Sequence, residues 1–149
     1  MRQPPAALRD AVSEACDLLD AVEARLGLPD RMHAYAALQA VLHAAREGLP
    51  ASSTLRMAAG MPLFIGGLTV LDWYPVTAQS GPQTFEHRVA ERLPLSFPLP
   101  APETASGVLC ALSRRMDARA LASLQASANG FMPHPATPNR PQSGQSQGD

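Results

Sequence analysis

Residues 35–50, YAALQAVLHAAREGLP, decide the fold class of this chain. Their apolar side chains recur at the period of an α-helix and form one stripe: Tyr35, Leu38, Val41, Leu42, Ala45 and Leu49. Asp30 is a suitable N-cap before the stretch, and Gly48 is a suitable stop near its end. Gln39, His43 and Glu47 fall on the opposite side. The stretch therefore predicts an amphipathic helix with one buried face.

The same pattern returns further along the chain. A shift of 67 residues, without a gap, places a matching stripe at Ala105, Val108, Leu109, Leu112 and Met116. We therefore predict a duplicated all-helical domain over residues 5–131, with two similar halves at about 5–71 and 82–131. Each half of three to four helices is near the lower size limit for an independent core. We expect the halves to pack into one compact unit through a shared apolar layer.

Caps, breakers and apolar spacing predict seven helices, at about 5–27, 31–48, 51–60, 63–71, 85–93, 102–115 and 118–129. The segment 63–71 also has the composition of a buried strand, but the chain offers no second strand to pair with it. On the first helix, the predicted buried stripe is Leu8, Val12, Ala15, Leu19, Val22 and Leu26.

Two further segments are predicted to be irregular. Residues 94–102 contain four prolines, which predicts an extended connector with Leu95, Phe97 and Leu99 packed on the domain. Residues 133–149 are rich in Pro, Gln, Ser and Gly, and we expect them to form a disordered tail.

The composition narrows the possible partners and locations. A formal net charge of -1 argues against a generic nucleic-acid binder and against a polybasic membrane partner. The apolar, uncharged stretch at 57–71 has 15 residues, too few for a transmembrane segment. Cys16 and Cys110 lie 94 residues apart and fit free thiols in a reducing compartment. We expect a cytoplasmic protein.

The carboxylates and histidines that could act in catalysis or metal binding are better explained as ordinary surface residues of the predicted helices. Four carboxylates of the first helix lie opposite its apolar stripe and predict a solvated face: Asp10, Glu14, Asp17 and Asp20. His43 with Glu47, and His87 with Glu91, have the spacing of surface pairs. No nucleophile elbow, phosphate-binding loop or dinucleotide fingerprint is present in the sequence. We therefore expect no enzyme, no cofactor and no metal site.

A basic spot at the turn after the sixth helix consists of Arg114, Arg115 and Arg119. Such a spot can meet phosphate or an acidic partner. The simpler interpretation is that it offsets the negative end of the helix dipole.

The candidate binding residues are Phe64, Leu68, Trp73 and Tyr74. Together they could roof a groove for a partner helix or for an apolar ligand. The competing interpretation is that Trp73 fills the core where the halves meet. From this set we predict a non-catalytic interaction module, with self-association through 63–71 as one form of it. The alternative is a carrier or sensor of a small apolar ligand, with its pocket between the halves.

Several sequence motifs along the chain resemble those of a known family: the run at 35–50, Met61 with Pro62, Gly67, Trp73, and Phe85 followed by RVAERL at 88–93. This set resembles the bacterial domain of unknown function 2267, over most of residues 17–130. The resemblance implies an all-helical, duplicated fold in soluble bacterial proteins, with no established activity, substrate or cofactor. The chain departs from the family pattern at Gly66, where an arginine is usual before the glycine.

Overall fold

The computed structural model describes residues 2–75 and 83–128. Within these ranges the chain forms seven α-helices and no strand. The helices are α1 (Ala6–Leu26), α2 (Arg31–Glu47), α3 (Ala51–Ala59), α4 (Leu63–Val70), α5 (Phe85–Arg92), α6 (Ala101–Ser113) and α7 (Ala118–Ser127). The predicted all-α fold class is confirmed, and so is the helical assignment of the apolar fourth segment.

Local capping chemistry sets several of these helix ends, as the sequence predicts. The Asp30 side chain accepts a hydrogen bond from the backbone N–H of His33 at 2.9 Å. Asp117 does the same for the N–H of Ala120 at 2.8 Å. At the end of α1, Gly27 adopts a left-handed φ of 63° that residues with a β-carbon rarely take. These caps confirm the predicted starts of α2 and α7 and the predicted end of α1.

The central helix of the fold is α2, which packs against five others: α1, α4, α5, α6 and α7. Ten of its 17 residues are buried, including His43 and Arg46. The prediction of one buried and one solvated face is therefore wrong for this helix. No residue of α2 between 36 and 47 is exposed, so the polar side chains in this stretch must find partners inside the protein. Tyr35, which is predicted to be buried, is 37% exposed because it precedes this covered stretch.

Arg88 of α5 supplies one set of these internal partners. Its side chain is buried, and its Nε donates to the Ala44 carbonyl at 3.0 Å. One terminal nitrogen donates to Gln83 O at 2.8 Å, and the other donates to Ser127 O at 3.4 Å. One guanidinium group therefore links the end of α2 to the start of α5 and the end of α7.

Two hydroxyl groups satisfy the next carbonyls of α2. The Ser127 Oγ donates to Ala45 O at 2.6 Å, and the Thr54 Oγ1 donates to Arg46 O at 3.5 Å. The last carbonyls of a helix lack partners within that helix, and a buried carbonyl without a donor is costly. The backbone N–H groups of Gly48 and Leu49 also donate to Ala45 O and Arg46 O, and α3, α5 and α7 each add a side-chain donor, so these carbonyls are buried without that cost.

A close contact between α3 and α4 depends on Gly66. A β-carbon at this position would lie 2.5 Å from the backbone oxygen of Ala58. The neighbouring Gly67 has no atom within 4 Å of the corresponding point. Any side chain at position 66 would separate the two helices as they stand here.

The buried face of α1 differs from the predicted one. Leu8 and Val12 are 44% and 49% exposed, and the buried residues of this helix are Ala11, Leu18 and Val22. The buried face is rotated by roughly 60° from the centre of the predicted stripe. The prediction is wrong at Leu8 and Val12 because α2 and α6 cover the adjacent side of the helix. The four carboxylates opposite the stripe are exposed, which confirms the predicted solvated face.

The proline-rich connector before α6 is only partly packed. Phe97 and Leu99 pack against the core as predicted. Leu95 is fully exposed, because the chain turns at this point, with the Phe97 N–H bonded to Pro94 O at 3.0 Å. The predicted tail at 133–149 and the predicted end of the last helix at 129–130 lie outside the described residues.

The predicted duplication is compatible with the observed helices. The starts of α3 and α7 lie 67 residues apart, at Ala51 and Ala118. Residues related by the same shift are fully buried in both copies: Val22 with Val89, Val41 with Val108, Leu42 with Leu109, and Met57 with Leu124. The division at 5–71 and 82–131 stays a prediction.

Replacing Arg88 with methionine is expected to lower the free energy of unfolding by about 3 kcal/mol or more, because three carbonyls lose a charged donor. Denaturant unfolding followed by circular dichroism measures this change. The matched control is Arg56→Met on the exposed side of α3, with an expected change within about 0.5 kcal/mol. Equal midpoints for the two variants would contradict the role of Arg88.

The two adjacent glycines of α4 are expected to respond in opposite directions to alanine. Gly66→Ala should lower the free energy of unfolding by about 1–3 kcal/mol, because the new methyl group meets backbone that must shift. Gly67→Ala should raise it by about 0.5–1 kcal/mol, because alanine favours the helix and the space is open. Thermal unfolding of both variants tests the pair, and two changes of the same sign would refute it.

Candidate functional site

An apolar groove of about 370 Å³ opens between α1, α2 and α4. None of its nine lining residues is charged: Ala15, Leu19, Tyr35, Leu38, Phe64, Ile65, Gly67, Leu68 and Leu71. Leu68 is 8% exposed and forms part of the floor, whereas Phe64 is 44% exposed and stands at the rim. The groove can therefore hold an apolar surface, with the Tyr35 hydroxyl as its one side-chain polar group.

The structure brings together two of the four candidate residues. Phe64 and Leu68 line the groove, but Trp73 and Tyr74 do not. Trp73 is half-buried beyond the end of α4, and Tyr74 is 83% exposed. The groove also lies within the first predicted half, between α1, α2 and α4, and not between the halves.

The part of the site that sequence reasoning missed comes from α1. Ala15 and Leu19 line the groove, and Leu8 and Val12 continue the same stripe along the helix beyond it. The signal was present, because these four residues have helical spacing. The spacing alone predicts that the whole stripe is buried in the core, whereas the structure leaves its first half exposed.

Hydrogen bonds from α2 hold α4 in place as one wall of the groove. The His43 Nε2 lies 2.9 Å from Leu68 O and must carry the proton, because a carbonyl only accepts. Arg46 donates to Thr69 O at 3.1 Å and also to Leu71 O. These acceptors belong to the C-terminal end of α4, where helix carbonyls lack partners of their own. An eight-residue helix without a charged side chain is thereby fixed at its end.

The predicted surface pair of His43 and Glu47 is wrong. His43 is only 5% exposed because α4 covers it, and Glu47 forms an ion pair with Arg92 of α5. The other predicted pair is confirmed, with His87 Nε2 and Glu91 Oε1 3.1 Å apart on the surface.

Burial lowers the pKa of His43 from its ordinary value. The hydrogen bond to Leu68 O raises this pKa, and the charges of Arg46 and Arg92 lower it further. The net direction is downward, so the imidazole beneath α4 is neutral at pH 7.

This burial predicts a loss of stability in mild acid. In the unfolded chain His43 takes up a proton at its ordinary pKa of 6.5, whereas in the folded chain it is protonated only at a lower pH. The free energy of unfolding should therefore fall as the pH drops below about 6.5, by at most ~1.4 kcal/mol per pH unit for this one group, and level off below the folded pKa. His43→Gln keeps an N–H donor but does not titrate.

Denaturant unfolding of the wild type and His43→Gln between pH 5 and 7.5 measures the difference. The two stability curves should converge as the pH falls, because only the wild type loses stability through protonation of this buried imidazole. Parallel curves for His43→Gln and the wild type would show that the imidazole is not buried in its neutral form.

Within residues 2–75 and 83–128, no group of three or more His, Cys, Asp or Glu side chains is arranged to hold a metal ion. None of the helices in the same ranges combines the length and the apolar content of a membrane span. No curated protein matches the chain. A family model described as "Uncharacterized conserved protein (DUF2267)" matches residues 16–128. Because this match covers well over half of the 149 residues, the chain belongs to the domain of unknown function 2267 family.

Proposed function

We propose that this protein is a non-catalytic interaction module that binds an amphipathic helix in the groove between α1, α2 and α4. The partner that we assign is a second copy of the chain. The observation that carries the proposal is the apolar lining of the groove together with the exposed Leu8 and Val12, which lie on the same stripe of α1 as the groove residues Ala15 and Leu19. Continuous apolar surface that is open to water is typical of interaction sites.

The exposed rim gives this surface its size. Its large apolar side chains are between 37% and 49% exposed: Leu8, Val12, Tyr35, Phe64 and Leu71. Burial of apolar surface contributes roughly 25 cal/mol per Å², so covering these side chains would favour association. A helix lying in the groove would cover them without requiring a polar group inside it.

The chain itself carries a helix that suits this groove. Leu8 and Val12 are one turn apart on α1, and the exposed Asp10 and Glu14 lie on the opposite side of the helix, which would still face water in a dimer. An antiparallel two-fold pairing of two α1 helices would place Leu8 and Val12 of each copy over the groove of the other. Such a pairing uses the same patch on both subunits and closes on itself as a dimer.

The second candidate function is a carrier of a small apolar ligand. The groove volume of about 370 Å³ favours it, because ligand pockets commonly have this size. This version differs from the pocket expected between the halves, since the groove lies within the first half.

We also propose the bacterial cytoplasm as the location, supported by the free thiols of Cys16 and Cys110.

Light scattering after size-exclusion chromatography tests self-association. The wild type is expected to run as a dimer, and Val12→Glu and Phe64→Glu are each expected to run as monomers, because a carboxylate would be buried in the interface. Both positions are exposed, so the variants should fold, whereas Leu68→Glu would disturb the buried floor. Leu95→Glu is the control, because Leu95 is fully exposed and lies outside the groove.

A monomeric wild type over the full concentration range would overturn self-association. In that case, binding of an apolar fluorescent dye that Phe64→Glu abolishes would support the carrier. A dimer that survives both groove substitutions would place the interface elsewhere and reject the assigned partner.

A further inference from the structure

A second cleft, of about 410 Å³, lies where α1 packs against α6. Three of its six lining residues are arginines: Arg25, Arg114 and Arg115. The other three are small, namely Ala21, Cys110 and Ala111, and no carboxylate is among the six. The cleft is separate from the apolar groove and shares no lining residue with it.

The arginines of this cleft have little to bind within the protein. Arg115 donates one hydrogen bond to Ala111 O, at 3.0 Å, which fits the predicted role at the end of a helix. Among residues 2–75 and 83–128, Arg25 and Arg114 make no hydrogen bond and no ion pair. The positive charge of these three arginines therefore has no carboxylate partner among the residues that line the cleft.

The 67-residue register relates this cleft to a second contact in the fold, which contains a carboxylate. Arg92 of α5 forms an ion pair with Glu47 of α2. The shift relates Arg25 to Arg92 and relates Glu47 to Arg114. The corresponding contact between α1 and α6 therefore has an arginine in place of the carboxylate. Two guanidinium groups that share one cleft repel each other, and an anion between them would remove that repulsion.

We propose that the cleft between α1 and α6 binds a small phosphate-bearing anion, such as a diphosphate or a phosphate ester. Guanidinium groups match the oxygens of phosphate in a planar, bidentate arrangement. The three guanidinium groups carry more positive charge than a single carboxylate can balance. They therefore suit an anion that carries two or more negative charges. The volume of about 410 Å³ is larger than a single inorganic phosphate requires, which favours a phosphorylated small molecule.

Isothermal titration calorimetry with pyrophosphate tests the proposal on the full chain. Arg25→Gln and Arg114→Gln are each expected to weaken binding by about tenfold or more, since each removes charge-assisted hydrogen bonds. Arg56→Gln on α3 is the control, because it changes the net charge equally but lies outside the cleft. No binding by the wild type, or an equal loss in Arg56→Gln, overturns the proposal. Tighter binding of citrate than of pyrophosphate also overturns it, because the anion would then be a carboxylate.

A charge reversal gives an independent measurement. Arg114→Glu restores the arginine–carboxylate pair that Arg92 and Glu47 form, with Arg25 as the new partner. This variant is expected to melt at a higher temperature than the wild type without ligand. Pyrophosphate should raise the melting temperature of the wild type but not that of Arg114→Glu. A lower melting temperature for the variant, or an equal rise with pyrophosphate, contradicts the inference.

Discussion

The burial of the C-terminal end of α2 is the constraint on which the rest of this structure depends. Carbonyl groups at a helix end need donors, and here water is excluded by the surrounding helices. Arg88, Ser127 and Thr54 provide those donors from three different helices. Apolar surfaces can slide over one another at small cost, but directional hydrogen bonds fix the position of each helix. A few buried polar side chains thus determine how the alanine-rich helices pack against one another.

The apolar groove follows from the same principle applied to a second helix end. His43 and Arg46 project from α2 and hold the last carbonyls of α4. With its end fixed in this way, α4 presents Phe64 and Leu68 beside α1 instead of closing over the gap. The first half of α1 extends past this gap with its apolar residues exposed. The candidate site is therefore the place where the helices stop covering one another.

Sequence reasoning predicted the helices well because their ends are local. Asp30, Gly27 and Asp117 act through neighbours in the chain, and such neighbours can be read from spacing alone. Spacing does not reveal which other helix will cover a given face. For that reason His43 was placed on the surface and Leu8 in the core, each opposite to the observed position. The sequence points to Phe64 and Leu68, which line the groove, but the α1 wall of the groove depends on the tertiary arrangement.

The hydrogen-bond donors at the end of α2 also determine how the protein would respond to truncation. Two of the three, Arg88 and Ser127, come from the part of the chain beyond residue 83, while α2 lies before residue 75. A piece ending near residue 75 would lose the Arg88 donor of Ala44 O and the Ser127 donor of Ala45 O, and Arg88 in the remaining piece would keep only Gln83 O and Ser127 O as acceptors. Each piece alone would therefore lack hydrogen bonds that fix the centre of the fold. If the backbone were cut between them, the two pieces would have to complement each other as a noncovalent pair.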